Sequence, residues 1–421
     1  MKINRHAFIL LFVPLTLSAR ETTTPLPEFI EQVIHYSPEV KASLQEQEGL
    51  HQDVRIARSG FLPKLDFEAL DTSGFPASTG GLGISGVMGS PFRVGTAAGF
   101  TLQQNIWDFG RTLSDLDVAK SKLKANDFTR ETVLQDWKSV AANAYFNCAR
   151  ETASAEVWKE SFDQTEGIHK EVVRYTQTGQ RSVVDEKLSL LETETSLRKF
   201  ESSKIRQGSI QNKIRILTGD ARTNTNCMGF DDLLAFKVVD PGIIAKSPRV
   251  LLAQARIKVA ESELGRAKSD YMPELIGFAS VGLMDNRRLV NNTNDYSLGI
   301  GLKFPIFEGL KTDASVARAD ASLSEKKDLA DAEVQQFELQ LENLKESIKA
   351  SETELAGLYL ELKHAKEAYQ LAKTRYFKLQ GNLLDLREAQ RAMTQVKIDL
   401  ITLLVNYHYA RAQEAILSRV L

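Results

Sequence analysis

Residues capable of chemistry are few in this chain, and their spacing argues for the display of charge, not for catalysis. Asp385 and Glu388 stand three apart, so on a helix they share a face and present two carboxylates together. Lys64, Asp66 and Glu68 alternate with Leu65, Phe67 and Ala69, which sets charges on one side of an extended segment and apolar groups on the other. The six histidines are scattered, without the paired spacing or cysteine neighbours of a metal site. Gly81-Leu82-Gly83-Ile84-Ser85-Gly86 matches a dinucleotide-binding fingerprint in letters only, because no helix follows it. It reads as part of a flexible surface loop over 71–95. No nucleophile stands beside a base, so neither an enzyme nor a cofactor is expected.

Bulk composition narrows the partners. The chain has 53 basic and 55 acidic residues, which provides no basic field for nucleic acid. Residues 1–19 read as a secretory signal: Lys2 and Arg5 are its basic start, Ala7 to Leu17 its apolar stretch and Ser18-Ala19 its small-residue exit. No later apolar run reaches the ~18 residues of a transmembrane helix. The only cysteines are Cys148, in a helical stretch, and Cys227, in a linker; two so placed do not indicate a disulfide framework.

These groups need elements to carry them, and the chain writes its elements twice. Ser37-Pro38-Glu39-Val40 recurs as Ser247-Pro248-Arg249-Val250, and Leu62-Pro63 as Met272-Pro273 at the same offset. No proline lies between Pro91 and Pro241 or after Pro305, so long helices can run there unbroken. In the second gap Ile348, Ser351, Leu355, Leu358, Leu362, Ala365, Tyr369, Ala372 and Tyr376 keep a coiled-coil rhythm. Leu386, Ala389, Met393, Val396 and Leu400 resume it beyond Gly381. The pattern predicts helical hairpins over 112–217 and 310–418, whose outgoing arms would each span about 95–100 Å. Leading helices are predicted over 26–58 and 242–270. The first repeat then covers 20–220, a linker 221–241 and the second repeat 242–421.

Four short segments remain, at about 61–70, 96–106, 274–283 and 296–304; three alternate, while Leu275 to Leu283 is apolar on both faces. Strands of this length with one apolar and one polar face suit a membrane β-barrel. Four cannot close one, since such barrels start at about eight strands. An open edge in lipid would leave backbone groups unsatisfied, so other copies of the chain must complete the wall.

With these residues in view, the chain resembles the TolC family of outer-membrane efflux and type I secretion channels. The likeness covers nearly everything after the signal. It rests on the Ser-Pro helix starts, the Leu62-Pro63-Lys64-Leu65-Asp66 strand opening, and the strand exits Ile106-Trp107-Asp108-Phe109-Gly110-Arg111 and Phe304-Pro305-Ile306-Phe307-Glu308-Gly309. Two turn patterns add to it: Arg174-Tyr175, Gly179 and Asp185 in the first hairpin, Tyr376 and Leu383-Leu384-Asp385-Leu386 in the second.

The resemblance implies a mainly α fold with a membrane β-barrel, in which a homotrimer shares one twelve-stranded barrel above a helical tunnel. It implies an outer-membrane location in a Gram-negative bacterium, with a periplasmic adaptor and an inner-membrane transporter docking at the helix tips. Arg174, Tyr175, Gly179, Asp185 and Gly381 would mark those tips. Tyr376, Asp385 and Glu388 match the spacing of the family's aperture residues, and in three copies the carboxylates would form rings that favour cations. The sequence departs from the pattern between them, with Leu379 and Gly381 where the family carries a glycine and a basic residue. Lys64, Asp66 and Glu68 would face the barrel lumen. The competing expectation is a soluble periplasmic coiled-coil scaffold or adaptor, although adaptors usually carry one hairpin flanked by small β-rich domains.

Overall fold

A computed structural model describes residues 24–72, 80–84, 88–92, 95–219, 227–237, 247–285 and 292–418 of the chain. The expected signal over 1–19 lies outside them. Leu26–Tyr36 (α1) and Pro38–Ser59 (α2) replace the single leading helix expected over 26–58. The break is local chemistry: Pro38 has no N–H and pushes Ser37 to extended backbone, while the Ser37 hydroxyl accepts from Val40 N at 3.4 Å and starts the new helix. The repeated Ser247-Pro248 starts Pro248–Ser269 (α6) with the same proline at the first helical position, but the Ser247 side chain makes no capping hydrogen bond there.

The strands are Lys64–Thr72 (β1), Gly80–Ile84 (β2), Met88–Phe92 (β3), Gly95–Trp107 (β4), Glu274–Asp285 (β5) and Asn292–Lys303 (β6). Within the stretch read as a flexible loop over 71–95, β2 and β3 pair as a separate ribbon. The other four form one antiparallel sheet in the order β1-β4-β5-β6, so the central pairing, β4 with β5, joins the two repeats. Each outer strand has one neighbour among the described residues.

Four long helices hang from the sheet: Arg111–Gln177 (α3), Val183–Thr218 (α4), Lys311–Phe377 (α7) and Leu383–Leu417 (α8). With 67 residues apiece, α3 and α7 extend about 100 Å. Asp108 starts α3 by accepting from Thr112 N at 2.8 Å and from Asn105 Nδ2 at 2.7 Å. The main core lies midway down, where Phe29 and Val33 of α1 meet Ala141, Phe146 and Ala149 of α3 and Leu400, Ile401 and Leu404 of α8. Small residues on α3 let the backbones approach.

Two features correct the reading of the linker over 221–241. A short helix, Phe230–Ala235 (α5), forms there and buries Leu233. A disulfide joins Cys148 to Cys227, with Cα atoms 5.6 Å apart, although no pairing was expected from two cysteines. The partners are 79 residues apart in sequence and meet only because the linker folds back onto α3.

Candidate functional site: the paired helix tips and the sheet

Both hairpins end in the same turn. Thr178 N, Gly179 N and Gln180 N bond to the carbonyls of Arg174, Thr176 and Tyr175. In the second hairpin Lys378 N, Leu379 N and Gln380 N bond to those of Thr374, Tyr376 and Arg375. The turn needs one left-handed residue, which is Gly179 (φ 73°) in the first and Leu379 (φ 61°) in the second. Ser182 then caps α4 through Val184 N, and Asn382 caps α8 through Asp385 N at 2.8 Å.

The tips are tied to each other by a residue that the sequence reading missed. Arg181 Nη2 donates to the Tyr376 carbonyl at 3.1 Å and to the Gly381 carbonyl at 2.8 Å. Its guanidinium lies 4.4 Å from the centre of the Tyr376 ring, a cation–π contact. Tyr175 Oη donates to the Phe377 carbonyl at 3.2 Å. A signal was present: at an offset of 200, Arg181 occupies in the first tip the place held by Gly381 in the second. The basic residue absent from one tip is supplied by the other.

Tyr376 is therefore buried between the hairpins (0 % exposed). Burial, with Asp185 nearby, pushes its hydroxyl up to about 12, so it stays neutral. Asp185 stands in the first turn of α4, and Arg174 reaches back to Glu171 at 2.9 Å. Asp385 and Glu388 are exposed on α8, Glu388 lying 3.8 Å from Arg391 and 4.0 Å from Arg387. The resemblance grouped Tyr376 with these two acids; within one chain its ring lies against Arg181 and packs with Leu383 and Leu386, while the acids point to solvent.

Higher up, further ties cross between hairpins. Arg391 grips the Glu192 carboxylate with two nitrogens, one at 2.9 Å. Buried Lys397 meets Glu160 at 2.6 Å.

At the sheet, the register sorts the faces. Leu65, Leu102, Ala279 and Leu298 lie side by side, as do Phe67, Phe100, Val281 and Tyr296. The opposite face carries Lys64 beside Gln103, Asp66 beside Thr101 and, further across, Ser280 hydrogen-bonded to Ser297 at 2.7 Å. Leu298 is 88 % exposed in the lone chain and Leu65 66 %. Such an apolar surface is built for contact with something other than water.

The sequence profile of the outer membrane efflux protein family matches residues 29–207 and 242–418, one stretch in each repeat. The chain belongs to that family. Nodulation protein T of Rhizobium leguminosarum bv. trifolii is 26 % identical over 163 residues, a match covering 38 % of this chain and 34 % of that protein. The chain thus spans about a third of the curated relative it matches. Among solved structures, CusC superposes with a TM-score of 0.79 at 14 % identity, over 93 % of this chain and 91 % of that one. VceC of Vibrio cholerae gives 0.76 at 16 % identity, over 93 % and 96 %. The fold is TolC-like and the location is the outer membrane of a Gram-negative bacterium, with helices extending into the periplasm. Neither family nor fold favours the scaffold expectation.

Proposed function

We propose that three copies of this chain form an outer-membrane exit duct for a tripartite efflux pump or a type I secretion system. The duct closes at its periplasmic helix tips. The observation that carries the reading is the sheet: four strands, one apolar face and two outer strands that each have a single neighbour among the described residues. In lipid their outer edges must be paired, and three copies supply twelve strands without leaving any backbone group open. Lys64, Asp66 and Glu68 then line the lumen, where water solvates them.

The gate is assigned to the ties between hairpins. Arg181 holds the second tip by two carbonyls and a ring, and the Glu192–Arg391 and Glu160–Lys397 pairs extend the hold upward. A periplasmic adaptor and an inner-membrane transporter, docking at Arg174, Tyr175, Gly179, Asp185 and Gly381, would shift the balance towards the parted state. Asp385 and Glu388, exposed beside the tip, form the carboxylate rings of the aperture. Energy and cargo selection come from the partners.

The test is the detergent-extracted protein in planar bilayers. A trimer conducting weakly at rest, with a larger conductance for Arg181→Ala, supports the duct and its latch. A detergent-free monomer, or a conductance that Arg181→Ala leaves unchanged, refutes one or the other.

A further inference from the structure

Because the chain is written twice, contacts made inside it can be carried over to a neighbouring copy. α3 and α7 correspond at an offset of 200, as do α4 and α8, and the left-handed tip residues Gly179 and Leu379 keep that offset. α2 and α6 correspond at 210. Inside the chain, α3 of the first repeat packs against α6 and α8 of the second, while β4 pairs with β5. The same step taken once more, from the second repeat, brings α2 and α4 of the next copy onto α7. On α3 the face that meets α8 holds Ser139 and Glu160, bonded to Gln413 and Lys397. Their counterparts on α7 are Leu339 and Leu360, 66 % and 61 % exposed in one chain. On α4, Leu191 and Ile205 stand two heptads apart on one face and are exposed as well.

Charge holds the step inside the chain. Glu160 meets Lys397, Glu192 meets Arg391, Asp115 meets Arg266, and Lys122 meets Glu263 at 2.9 Å. None of these ion pairs survives transposition. The positions become Leu360 and Leu197, Ala392 and Leu191, Ser315 and Ile56, and Ser322 and Asp53. Ile56 is 67 % exposed in the lone chain, although α2 packs on α3. Apolar groups thus stand in for charged ones at the places a second copy reaches, and burying them there is favourable.

We propose that adjacent copies join along an apolar seam, α7 of one against α4 and α2 of the next, with Leu360 on Leu197 and Ala392 on Leu191. The seam inside each chain is ion-paired and the seam between chains is not, so a duct of six repeats alternates two kinds of joint. This surface presupposes the trimeric duct proposed above and assigns the contact that holds it. Salt screens exposed ion pairs and leaves apolar contact intact, so copies stay associated while the hairpins within each are loosened.

Leu197→Cys/Leu360→Cys, with the native disulfide retained, is oxidised in detergent and run on a non-reducing denaturing gel. The expected product is a covalent trimer, while Leu197→Cys/Leu371→Cys, displaced by about 16 Å along α7, links roughly tenfold less. Leu360→Glu alone lowers the trimer-to-monomer ratio roughly tenfold or more, and adding Leu197→Lys restores it, because the two recreate the Glu160–Lys397 pair between copies. Wild-type trimer persists in ~1 M salt. A wild-type trimer by sedimentation whose Leu197 and Leu360 positions fail to cross-link, or a Leu360→Glu defect that Leu197→Lys does not rescue, overturns the seam and leaves the duct standing. A wild-type monomer refutes the duct itself and the seam with it.

Discussion

Arg181 shows how much one side chain can settle. Its two hydrogen bonds end on backbone carbonyls of the other hairpin, so no side-chain substitution at Gly381 can replace the acceptor. Removing the guanidinium leaves both carbonyls to water and uncovers the Tyr376 ring, a loss of about 2–3 kcal/mol from the contact between tips. Arg181→Lys should recover only part of this, because an ammonium lacks the planar fork. The measurement is resting conductance, in the order wild type, Lys, Ala. Glu192→Gln removes one charge from the Arg391 grip and should act in the same direction with a smaller effect. Neutralising Asp385 and Glu388 together should weaken block by divalent cations; unchanged block would take them out of the aperture. Leu379 carries a cost of its own, since the left-handed region disfavours a branched side chain by about 1–2 kcal/mol.

Among the elements, the docked segment around α5 controls two measurable quantities. Closing a loop over 79 residues in the unfolded chain should make the disulfide worth about 4–5 kcal/mol of stability, read as a lower unfolding midpoint for Cys148→Ala/Cys227→Ala. The same segment covers His408, whose ring stacks on Phe146 at 6.2 Å and meets Phe236 edge-on. Burial pulls its imidazole from 6.5 down to about 4, against a weaker opposing contact with the Leu233 backbone. The folded pKa is the depressed one, so above pH 6.5, where the ring is neutral in both states, its titration contributes nothing to stability. As pH falls from 6.5 towards 4 the unfolded chain takes up the proton first and stability is lost. The loss should reach about 2 kcal/mol by pH 5, seen as a falling melting temperature that His408→Phe flattens.

For the whole molecule the deciding property is the two-sidedness of the sheet. Leu298→Arg puts a charge on the face proposed to meet lipid and should cost about 2–4 kcal/mol or prevent insertion, whereas Ser297→Arg, one residue away on the other face, should insert. Heat-modifiable trimer on gels is the readout. Equal tolerance at both positions would mean that the faces are not lipid and lumen. The upper seam of α7 belongs to this scale too: Phe337, Leu341 and Leu344 keep the heptad rhythm yet are only half-buried in one chain, while Ile348, Leu355 and Leu362 below them are covered.

By itself the sequence determined what depends on neighbours along the chain. Period, proline placement and alternation marked the long helices, the four sheet strands, the helix starts at Ser37-Pro38 and Ser247-Pro248, and the doubling that put the family within sight. Tertiary structure decided what depends on residues far apart. That α5 folds back to bring Cys227 to Cys148, that Arg181 of the first hairpin reaches the second tip, and that Tyr376 is fully buried there are outcomes of distant segments packing together. Hydrophobic rhythm tells a helix which face to bury; it does not say which distant backbone carbonyl will end up three ångströms from a guanidinium.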